Sequence, residues 1–379
     1  MGEKFPQEVG LLRKITANLQ RTLIPVDPSV EAYFREHGLP VPNTPPSWKT
    51  DILPPGRESF NELSECIVAR FPAMERGTKF ASFQNELFKV LEDFVGRPLD
   101  SIGHDDARRV IDQLAAWFAR VAQPDRLFIP CFISPWLAPR FYIGPVSFIH
   151  IDDAALTEFC SAGENADPLD RRSFDTMLTW MRENNSHFLA RVAVQGCEQE
   201  RAVEVAEFGI DLAIVALQLA APNLTTRTMC RADTRRGAAH KHTISQVGGH
   251  SRTSWTRKEP GISIGTGTLA DILAKTEPLM GAVGEITAGF VSDTFRLPRL
   301  EQGWCDAAYW FHEALAEVVD NIAVTKLETA LEVLCHSKSA KLSTVRVLTV
   351  LRCFFNLKPE DPIARGSKLT TRQFAKNLV

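Results

Sequence analysis

The sequence lacks an apolar stretch long enough to cross a membrane. Its most apolar segment, 208–219, contains Asp211 and Gln218 and is shorter than the roughly 20 residues that a spanning helix needs. The N-terminal segment also lacks the apolar core and the cleavage site of a secretory signal peptide. We therefore expect a cytoplasmic protein without membrane contact, in which 208–219 belongs to a buried helix.

The eight cysteines include no Cys-x-x-Cys pair and are scattered singly along the chain. This distribution is typical of reduced thiols that act as small apolar side chains, so a disulfide framework is not expected. Cys230 is followed by His240, His242 and His250, but their spacing matches no standard zinc finger. The sequence therefore predicts no metal and no cofactor.

Several catalytic motifs are missing as well. The sequence has no His-Glu-x-x-His string and no Gly-x-Ser-x-Gly elbow. The glycines at Gly265 and Gly267 come without the lysine and the spacing of a phosphate-binding P-loop. The common hydrolase and protease classes therefore have no support in the sequence.

The net charge of −3 gives no overall attraction to nucleic acid, so any such binding has to be local. With 44% hydrophobic residues, the 379-residue chain can bury a large core. Its length exceeds the roughly 250–300 residues at which single cores stop growing, which predicts two or three domains.

The order of helical and strand-like patterns predicts an α+β fold. N-terminal helices and a small mixed or antiparallel sheet are expected first, followed by a C-terminal helical bundle. The expected domains are an N-terminal arm with a Pro-rich linker, an α+β domain with a basic loop, and a bundle that the chain may record incompletely at Val379; they cover 1–57, 58–300 (loop 222–262) and 301–379.

Local patterns place the individual elements. Six prolines between Leu39 and Gly56 predict an extended connector without regular structure. Apolar residues at helical spacing follow in 59–121, and strands are expected between 125 and 194. A long helix is predicted for 198–221, and one or two strands are predicted for 285–297.

The strongest charge asymmetry lies in 222–262. Eight Lys and Arg residues face only Asp233 and Glu259 there, which gives a local charge of +6. Several basic side chains in one loop can contact a phosphate backbone without reading base sequence, and Trp255 could add a stacking surface. The predicted nucleic-acid-binding residues are Arg227, Arg231, Arg236, Lys241, Arg252, Arg257 and Lys258. The alternative is a solvated loop that balances acidic neighbours.

Two Arg-x-x-x-x-His strings are candidates for catalysis. One joins Arg182 to His187 across a predicted helix end and strand start, and the other joins Arg235 to His240 in the basic segment. An imidazole can exchange a proton with a ribose hydroxyl while a guanidinium stabilises charge on the phosphate. The alternative for each string is a polar loop, because short spacings recur by chance.

The segment 309–338 contains Ala330-Leu331-Glu332 within a helical pattern. In this signature and its context, the C-terminal region from about residue 304 resembles the Apea-like branch of the HEPN superfamily. The resemblance implies an antiparallel helical bundle, a homodimer, and membership of prokaryotic phage-defence, abortive-infection or toxin systems. It also implies metal-independent ribonuclease activity, carried in that family by an Arg followed by a His. No such pair follows Ala330 in this chain.

Two hypotheses follow from these observations. The first is an HEPN-like defence or toxin protein that engages RNA, potentially a ribonuclease whose Arg-His motif is not in this chain. The second is a non-catalytic sensor, scaffold or nucleic-acid-binding protein in which the helical bundle keeps only packing and dimerisation.

Overall fold

The structure is a computed structural model of the chain. It describes residues 5–24, 47–123, 125–134, 136–153, 156, 168–221, 229–233, 239–247, 250–258, 266–317, 319–336, 339–364 and 366–377. The chain divides into two compact units, of which the first contains 1–124 with 195–202 and the second contains 125–194 with 203–379. Helices and small antiparallel sheets build the fold, so the predicted α+β class is confirmed.

The first unit consists of helices around one apolar core, with a two-stranded sheet. Its elements are α1 (Pro6–Thr16), β1 (Leu19–Ile24), β2 (Ser47–Ile52), α2 (Pro54–Arg70), α3 (Pro72–Gly77), α4 (Phe80–Leu91) and α5 (His104–Val121). The predicted stripe on α4 is confirmed for Phe83, Leu87 and Leu91, which are fully buried, whereas Phe80 is 44% exposed. Helix α1 packs against α2 and α5, so its apolar side chains belong to the same core.

The Pro-rich connector was predicted to lack regular structure, and this is wrong for its second half. Residues 47–52 form β2, which pairs antiparallel with β1 from Leu19↔Ile52 to Ile24↔Ser47. Helix α2 begins at Pro54, because a proline in the first turn sacrifices no helical hydrogen bond. The first half of the connector lies outside the described residues.

The second unit contains a five-stranded antiparallel sheet with the order β4-β5-β6-β3-β7. Its strands are β3 (Asp125–Phe132), β4 (Phe141–Ile143), β5 (Val146–His150), β6 (Phe188–Val194) and β7 (Cys230–Arg231). Helix α6 (Pro168–Glu183) packs its apolar side against this sheet through Met181. The predicted strands between 125 and 194 are therefore confirmed.

The remaining helices follow β6 in the chain and, apart from the first residues of α7, lie in the second unit. They are α7 (Gln199–Ala220), α8 (Thr266–Lys275), α9 (Glu277–Ser292), α10 (Pro298–Ala316), α11 (Asp320–Leu334), α12 (Ala340–Phe355) and α13 (Thr371–Asn377). Helix α7 is the predicted buried helix, and its residues from Ile210 to Gln218 are all buried. Among the described residues, α10 and α11 make the most extensive helix–helix contact.

The strands predicted for 285–297 are wrong, because this segment continues helix α9. Thr, Val and Phe give it a β-like composition, but Met280, Val283, Thr287 and Val291 are buried at helical spacing. The helix ends at Asp293, whose left-handed backbone (φ 56°) closes it. Here the helical period outweighs the local preference for a strand.

Helix α9 approaches the turn between β4 and β5 without an intervening side chain. A Cβ atom added to Gly284 would lie 2.5 Å from the backbone nitrogen of Gly144. Gly144 also has a positive φ of 56°, which disfavours any residue with a side chain. This glycine pair therefore sets the distance between the helix and the sheet.

The basic segment is predicted to be a loop, and the structure corrects this for residues 239–247 and 250–258. They form a hairpin of β8 (Ala239–Val247) and β9 (His250–Lys258), paired from Ala239↔Lys258 to Val247↔His250. We call residues 239–258 the basic hairpin. The division into two compact units does not test the domain boundaries predicted at residues 57 and 300. These boundaries stay predictions.

Candidate functional site

The first predicted catalytic pair lies at the end of α6 and the start of β6. Arg182 is exposed near the C-terminal end of the helix, and His187 is half-buried just before the strand. The ring of His187 stacks on that of His150, with centroids 5.8 Å apart and an angle of 6° between the planes. The fold therefore places His187 beside a second imidazole from β5.

His150 is 2% exposed and sits in an apolar environment against Phe188. Its Nδ1 accepts a hydrogen bond from the backbone N–H of Asp152 at 3.2 Å. Burial lowers the pKa of the His150 imidazole below its usual value, although the nearby Asp152 carboxylate opposes this. His150 is therefore a neutral imidazole at pH 7 that packs in the sheet.

The second predicted pair begins outside the described residues, where Arg235 lies together with the binding candidates Arg227 and Arg236. His240 and the other four binding candidates are found in two places. Arg231 lies on β7, whereas Lys241, Arg252, Arg257 and Lys258 lie in the basic hairpin.

The register of the basic hairpin brings residues together that are far apart in sequence. His240 is directly opposite Arg257, and His242 is directly opposite Trp255. In an antiparallel pair, opposed residues and residues two apart share one face, so these four positions lie on the same face. We call it the Trp255 face. The other face, the Lys241 face, carries the positions of Lys241, His250, Arg252 and Lys258.

The composition of the basic hairpin distinguishes it from an ordinary sheet hairpin. It contains four Lys and Arg residues, three His residues and no Asp or Glu. Neither face has the unbroken apolar row that a strand uses to pack on a core. The sequence signal that could have revealed the hairpin is Gly248-Gly249, because a Gly-Gly dipeptide between two strands favours a two-residue hairpin connection.

Arg231 departs from the prediction, because the structure places it in a buried ion-pair cluster and not on a basic surface. Its side chain is 8% exposed, and its Nε donates to Oδ1 of Asp211 at 3.0 Å. Nη1 lies 2.7 Å from Oδ2 of Asp233 and 3.4 Å from Oε1 of Glu207. Three carboxylates thus surround one guanidinium.

The pKa values in this cluster follow from burial and charge. Burial alone would lower the pKa of the Arg231 guanidinium, but the carboxylates, above all Asp211, outweigh it and raise the pKa above its usual value. Burial raises the pKa of the Glu207 carboxyl, although Arg231 opposes the change. Burial and the charge of Asp211 also raise the pKa of the Cys131 thiol far above its usual value. Cys131 is therefore not an activated nucleophile.

A second set of polar groups joins α7 to α10. Nδ1 of His312 lies 3.1 Å from Oε1 of Gln218, while Nε2 of Gln218 donates to the backbone oxygen of Met229 at 3.2 Å. The amide oxygen can only accept, so Nδ1 of His312 carries the proton. Nε2 of His312 lies 3.9 Å from Oδ1 of Asp211, the carboxylate that binds Arg231.

Sequence reasoning missed this cluster, in which Arg231 is ion-paired to Asp211 and His312 lies close to the same carboxylate. The available signal was the spacing of Glu207, Asp211 and Gln218, which places three polar residues on one face of the most apolar helix. Arg231 and His312 come from distant segments, so only the fold reveals their meeting point. The ion pair of Arg231 with Asp211 connects β7 to α7, and the contact of His312 with Gln218 connects α10 to α7. The cluster therefore has a structural role, because its guanidinium is buried and ion-paired.

Helix α7 and the C-terminal helices line an apolar cavity of about 460 Å³. Its walls come from α7, α10, α11, α12 and α13, and they are Val215, Leu219, Trp304, Ala307, Ala308, Phe311, Leu327, Ala330, Leu331, Leu334, Cys335, Val347, Val350, Leu351, Phe355 and Phe374. The side chains of Leu334, Val350 and Phe355 are also exposed, so the cavity opens to the surface. An opening of this kind leaves apolar surface uncovered.

The Ala-Leu-Glu signature lies in the wall of this cavity. Ala330 is 7% exposed where α11 packs, and Leu331 lines the cavity. Oε1 of Glu332 accepts a hydrogen bond from Ser343 of α12 at 3.2 Å. All three residues therefore contribute to packing between helices.

No protein-family model, curated protein or solved structure matches the chain. In the described ranges, no helix combines the length and apolar character needed to cross a membrane. Within the same ranges, no three His, Cys, Asp or Glu side chains are grouped to hold a metal ion. The basic hairpin, which carries four Lys and Arg residues and no acidic residue, is a better candidate site than the ion-paired cluster around Arg231.

Proposed function

We propose that this protein binds RNA through the basic hairpin. The observation that carries the proposal is the regular pairing of 239–247 with 250–258 in a segment with four Lys and Arg residues and no acidic residue. Each strand has nine residues, so at about 3.4 Å per residue the ribbon extends roughly 30 Å. Cationic positions along such a ribbon can follow a phosphate backbone.

Single-stranded RNA fits this ribbon better than duplex nucleic acid does. Trp255 lies among the basic residues, and an aromatic ring can stack on an unpaired base. The hairpin also contains six Ser and Thr residues, whose hydroxyls are suitable donors to phosphate oxygens. Lys and Arg supply the affinity, and Trp255 favours exposed bases.

The C-terminal helices are proposed to form an HEPN-like bundle that dimerises. Nine of the nineteen exposed large hydrophobic side chains among the described residues lie between 309 and 355. They are Tyr309, Val319, Ile322, Val324, Leu334, Leu342, Val345, Val350 and Phe355. A second copy would cover this apolar surface by a two-fold interface, the commonest arrangement of homo-oligomers. We further propose a cytoplasmic role in phage defence or as a toxin, in line with the HEPN resemblance.

Neutralising the basic hairpin is expected to weaken RNA binding. The variant that combines Lys241→Gln, Arg252→Gln, Arg257→Gln and Lys258→Gln should lose roughly 10–100-fold in affinity for a single-stranded oligoribonucleotide at 0.1 M salt. The slope of log affinity against log salt should fall by roughly 2–3, because each lost phosphate contact on a single strand removes about 0.7. Fluorescence anisotropy over a salt series measures both quantities.

A matched control removes the same charge elsewhere. Lys49, Lys89, Arg296 and Arg372 all have side chains at least 56% exposed, and their replacement by Gln also lowers the charge by four. This control should keep nearly the full affinity and salt slope. Equal losses in both variants would mean that general charge, and not the hairpin, governs binding.

Charges on the apolar surface of the C-terminal helices are expected to produce a monomer. Val345 is 53% exposed and Phe355 is 66% exposed, so Val345→Glu with Phe355→Glu should spare the fold but bury two carboxylates in the proposed interface. Sedimentation velocity should then show a dimer for the wild type and a monomer for the variant. Trp136→Glu with Tyr142→Glu, exposed elsewhere in the second unit, should remain dimeric. A monomeric wild type would refute this part of the proposal.

The alternative function is a non-catalytic scaffold or sensor. The feature that favours it is the signature Ala330-Leu331-Glu332, whose residues serve packing and form no exposed polar site. A stable dimer that neither binds nor cleaves RNA would support this alternative.

A further inference from the structure

The apolar cavity beside α11 and α12 is larger than the voids that folded cores contain. Native interiors have few voids larger than a water molecule, and an apolar cavity of roughly 150 Å³ already takes up benzene. The cavity here measures about 460 Å³, and all sixteen residues of its walls are hydrophobic. Such walls offer water few hydrogen-bond partners, so the matching occupant is an apolar group.

The cavity is elongated along two neighbouring helices. Its wall on α11 runs from Leu327 to Cys335, and its wall on α12 runs from Val347 to Phe355. Each wall advances by eight residues, which at 1.5 Å per residue gives a length of about 12 Å. An extended chain advances roughly 1.2 Å per bond, since a backbone residue with three bonds spans at most about 3.6 Å. A straight aliphatic chain of about ten carbons therefore matches the length of the cavity.

Arg346 places a positive charge at one end of this cavity. Its Nη1 donates hydrogen bonds to the backbone oxygen of Cys335, a wall residue, and to that of His336 at 2.6 Å. Burial raises the pKa of the Cys335 thiol, and the charge of Arg346 opposes this rise. Within the described ranges, Arg346 forms no ion pair with a carboxylate. The N–H groups on its Nε and Nη2 are not used by these two bonds, so they can bind an anion.

The same end of the cavity reaches the surface. Leu334 lines the cavity directly before Cys335 and is 39% exposed. Val350 lines it one helical turn after Arg346 and is also 39% exposed. A ligand can therefore hold its apolar chain between the helices and its polar head beside Arg346. A carboxylate suits this position, because a guanidinium binds it through two parallel hydrogen bonds.

We infer that this cavity binds an aliphatic monocarboxylate of about ten carbons, with the chain between α11 and α12 and the carboxylate on Arg346. This inference goes beyond the proposed RNA binding and does not rest on it. A second copy of the chain could cover the exposed rim, as proposed for the dimer. Its surface side chains do not reach along a wall of about 12 Å, whereas a narrow alkyl chain does.

Calorimetric titration of the full chain with straight-chain alkanoates, from hexanoate to tetradecanoate, tests the cavity. Each added methylene should strengthen binding about fourfold up to about ten carbons and add little beyond that length. Ala307→Phe adds a ring to the wall and should weaken decanoate binding by about tenfold or more, since losing the burial of two methylenes suffices for that effect. Ala364→Phe is the control at an exposed position outside the walls and should bind like wild type.

Variants of Arg346 test the head group, with decanol as the uncharged comparison. Arg346→Gln should weaken decanoate binding by about tenfold or more and leave decanol binding unchanged. Unchanged decanol binding also shows that the variant keeps its cavity. Arg346→Lys retains the charge and should recover part of the decanoate affinity. Arg352 lies on the same helix outside the walls, so Arg352→Gln is the matched control and should bind decanoate like wild type.

Three results would overturn the inference. Wild type that binds no alkanoate, or binds hexanoate as tightly as decanoate, would show that the cavity takes no chain. Equal affinity of wild type for decanoate and decanol would remove the role of Arg346. A decanoate affinity that weakens as the protein concentration rises would assign the cavity to a second copy. None of these results affects the proposed RNA binding, which the hairpin variants test separately.

Discussion

Replacing Arg231 by methionine is expected to destabilise the second unit by about 3–5 kcal/mol, because it leaves a buried carboxylate without its cation. Asp211 is 8% exposed and receives a 3.0 Å hydrogen bond from Nε of Arg231. Methionine occupies a similar volume, so the loss comes from the charge and not from a cavity. Native-state hydrogen exchange of peptides from α7 and α10 measures the free energy of unfolding for this unit.

Two further variants separate the buried pair from the exposed part of the cluster. The side chain of Asp233 is 53% exposed, so Asp233→Asn should cost no more than about 1 kcal/mol. Arg231→Met combined with Asp211→Leu should recover much of the lost stability, because apolar residues can replace a buried ion pair. A change below about 1 kcal/mol for Arg231→Met alone would contradict the buried arrangement.

Gly284→Ala is expected to destabilise the protein by roughly 1–3 kcal/mol, although alanine normally favours a helix. The added Cβ would lie 2.5 Å from the backbone nitrogen of Gly144, and backbone atoms cannot move aside as a flexible side chain can. Helix α9 would have to shift away from the turn between β4 and β5. Urea denaturation should show a lower free energy of unfolding for the variant. Hydrogen exchange should show lower protection in both α9 and β5.

Gly281 provides the matched control one turn earlier on the same helix. A Cβ atom there meets no atom within 4 Å, and the position is exposed. Gly281→Ala should therefore stabilise the protein by about 0.5–1 kcal/mol through helix propensity alone. If both alanine variants shifted stability in the same direction, the close approach of Gly144 and Gly284 would not be the cause of the effect.

The sequence predicted most helices and sheet strands, because their signals are local. Phe83, Leu87 and Leu91 repeat at helical spacing, and the apolar run in 208–219 is buried as expected. The prediction for 285–297 is wrong because β-branched and aromatic residues there favour a strand locally, whereas Val283, Thr287 and Val291 are buried at helical spacing. The prediction of a loop in the basic segment is wrong because Gly248-Gly249 favours a two-residue connection between paired strands.

The candidate site was predicted less well, because it depends on contacts between distant residues. Basic residues at Lys241, Arg252, Arg257 and Lys258 were identified from charge alone, and they share one hairpin. Arg231 belonged to the same charge cluster in the sequence but is buried by carboxylates from α7. Charge in a sequence shows how many cations a segment holds, whereas burial depends on which element packs against them.

The amino-acid sequence by itself determined the α+β class, the helical periods, and the concentration of positive charge between residues 222 and 262. These properties depend on neighbours within a few positions, where side-chain spacing and chain stiffness act directly. Only the tertiary structure decided that Arg231 meets Asp211, that Gly284 touches Gly144, and that His240 lies opposite Arg257. Such pairings join residues 17 to 140 positions apart, and their partners are chosen by the packing of the whole unit and not by local preference.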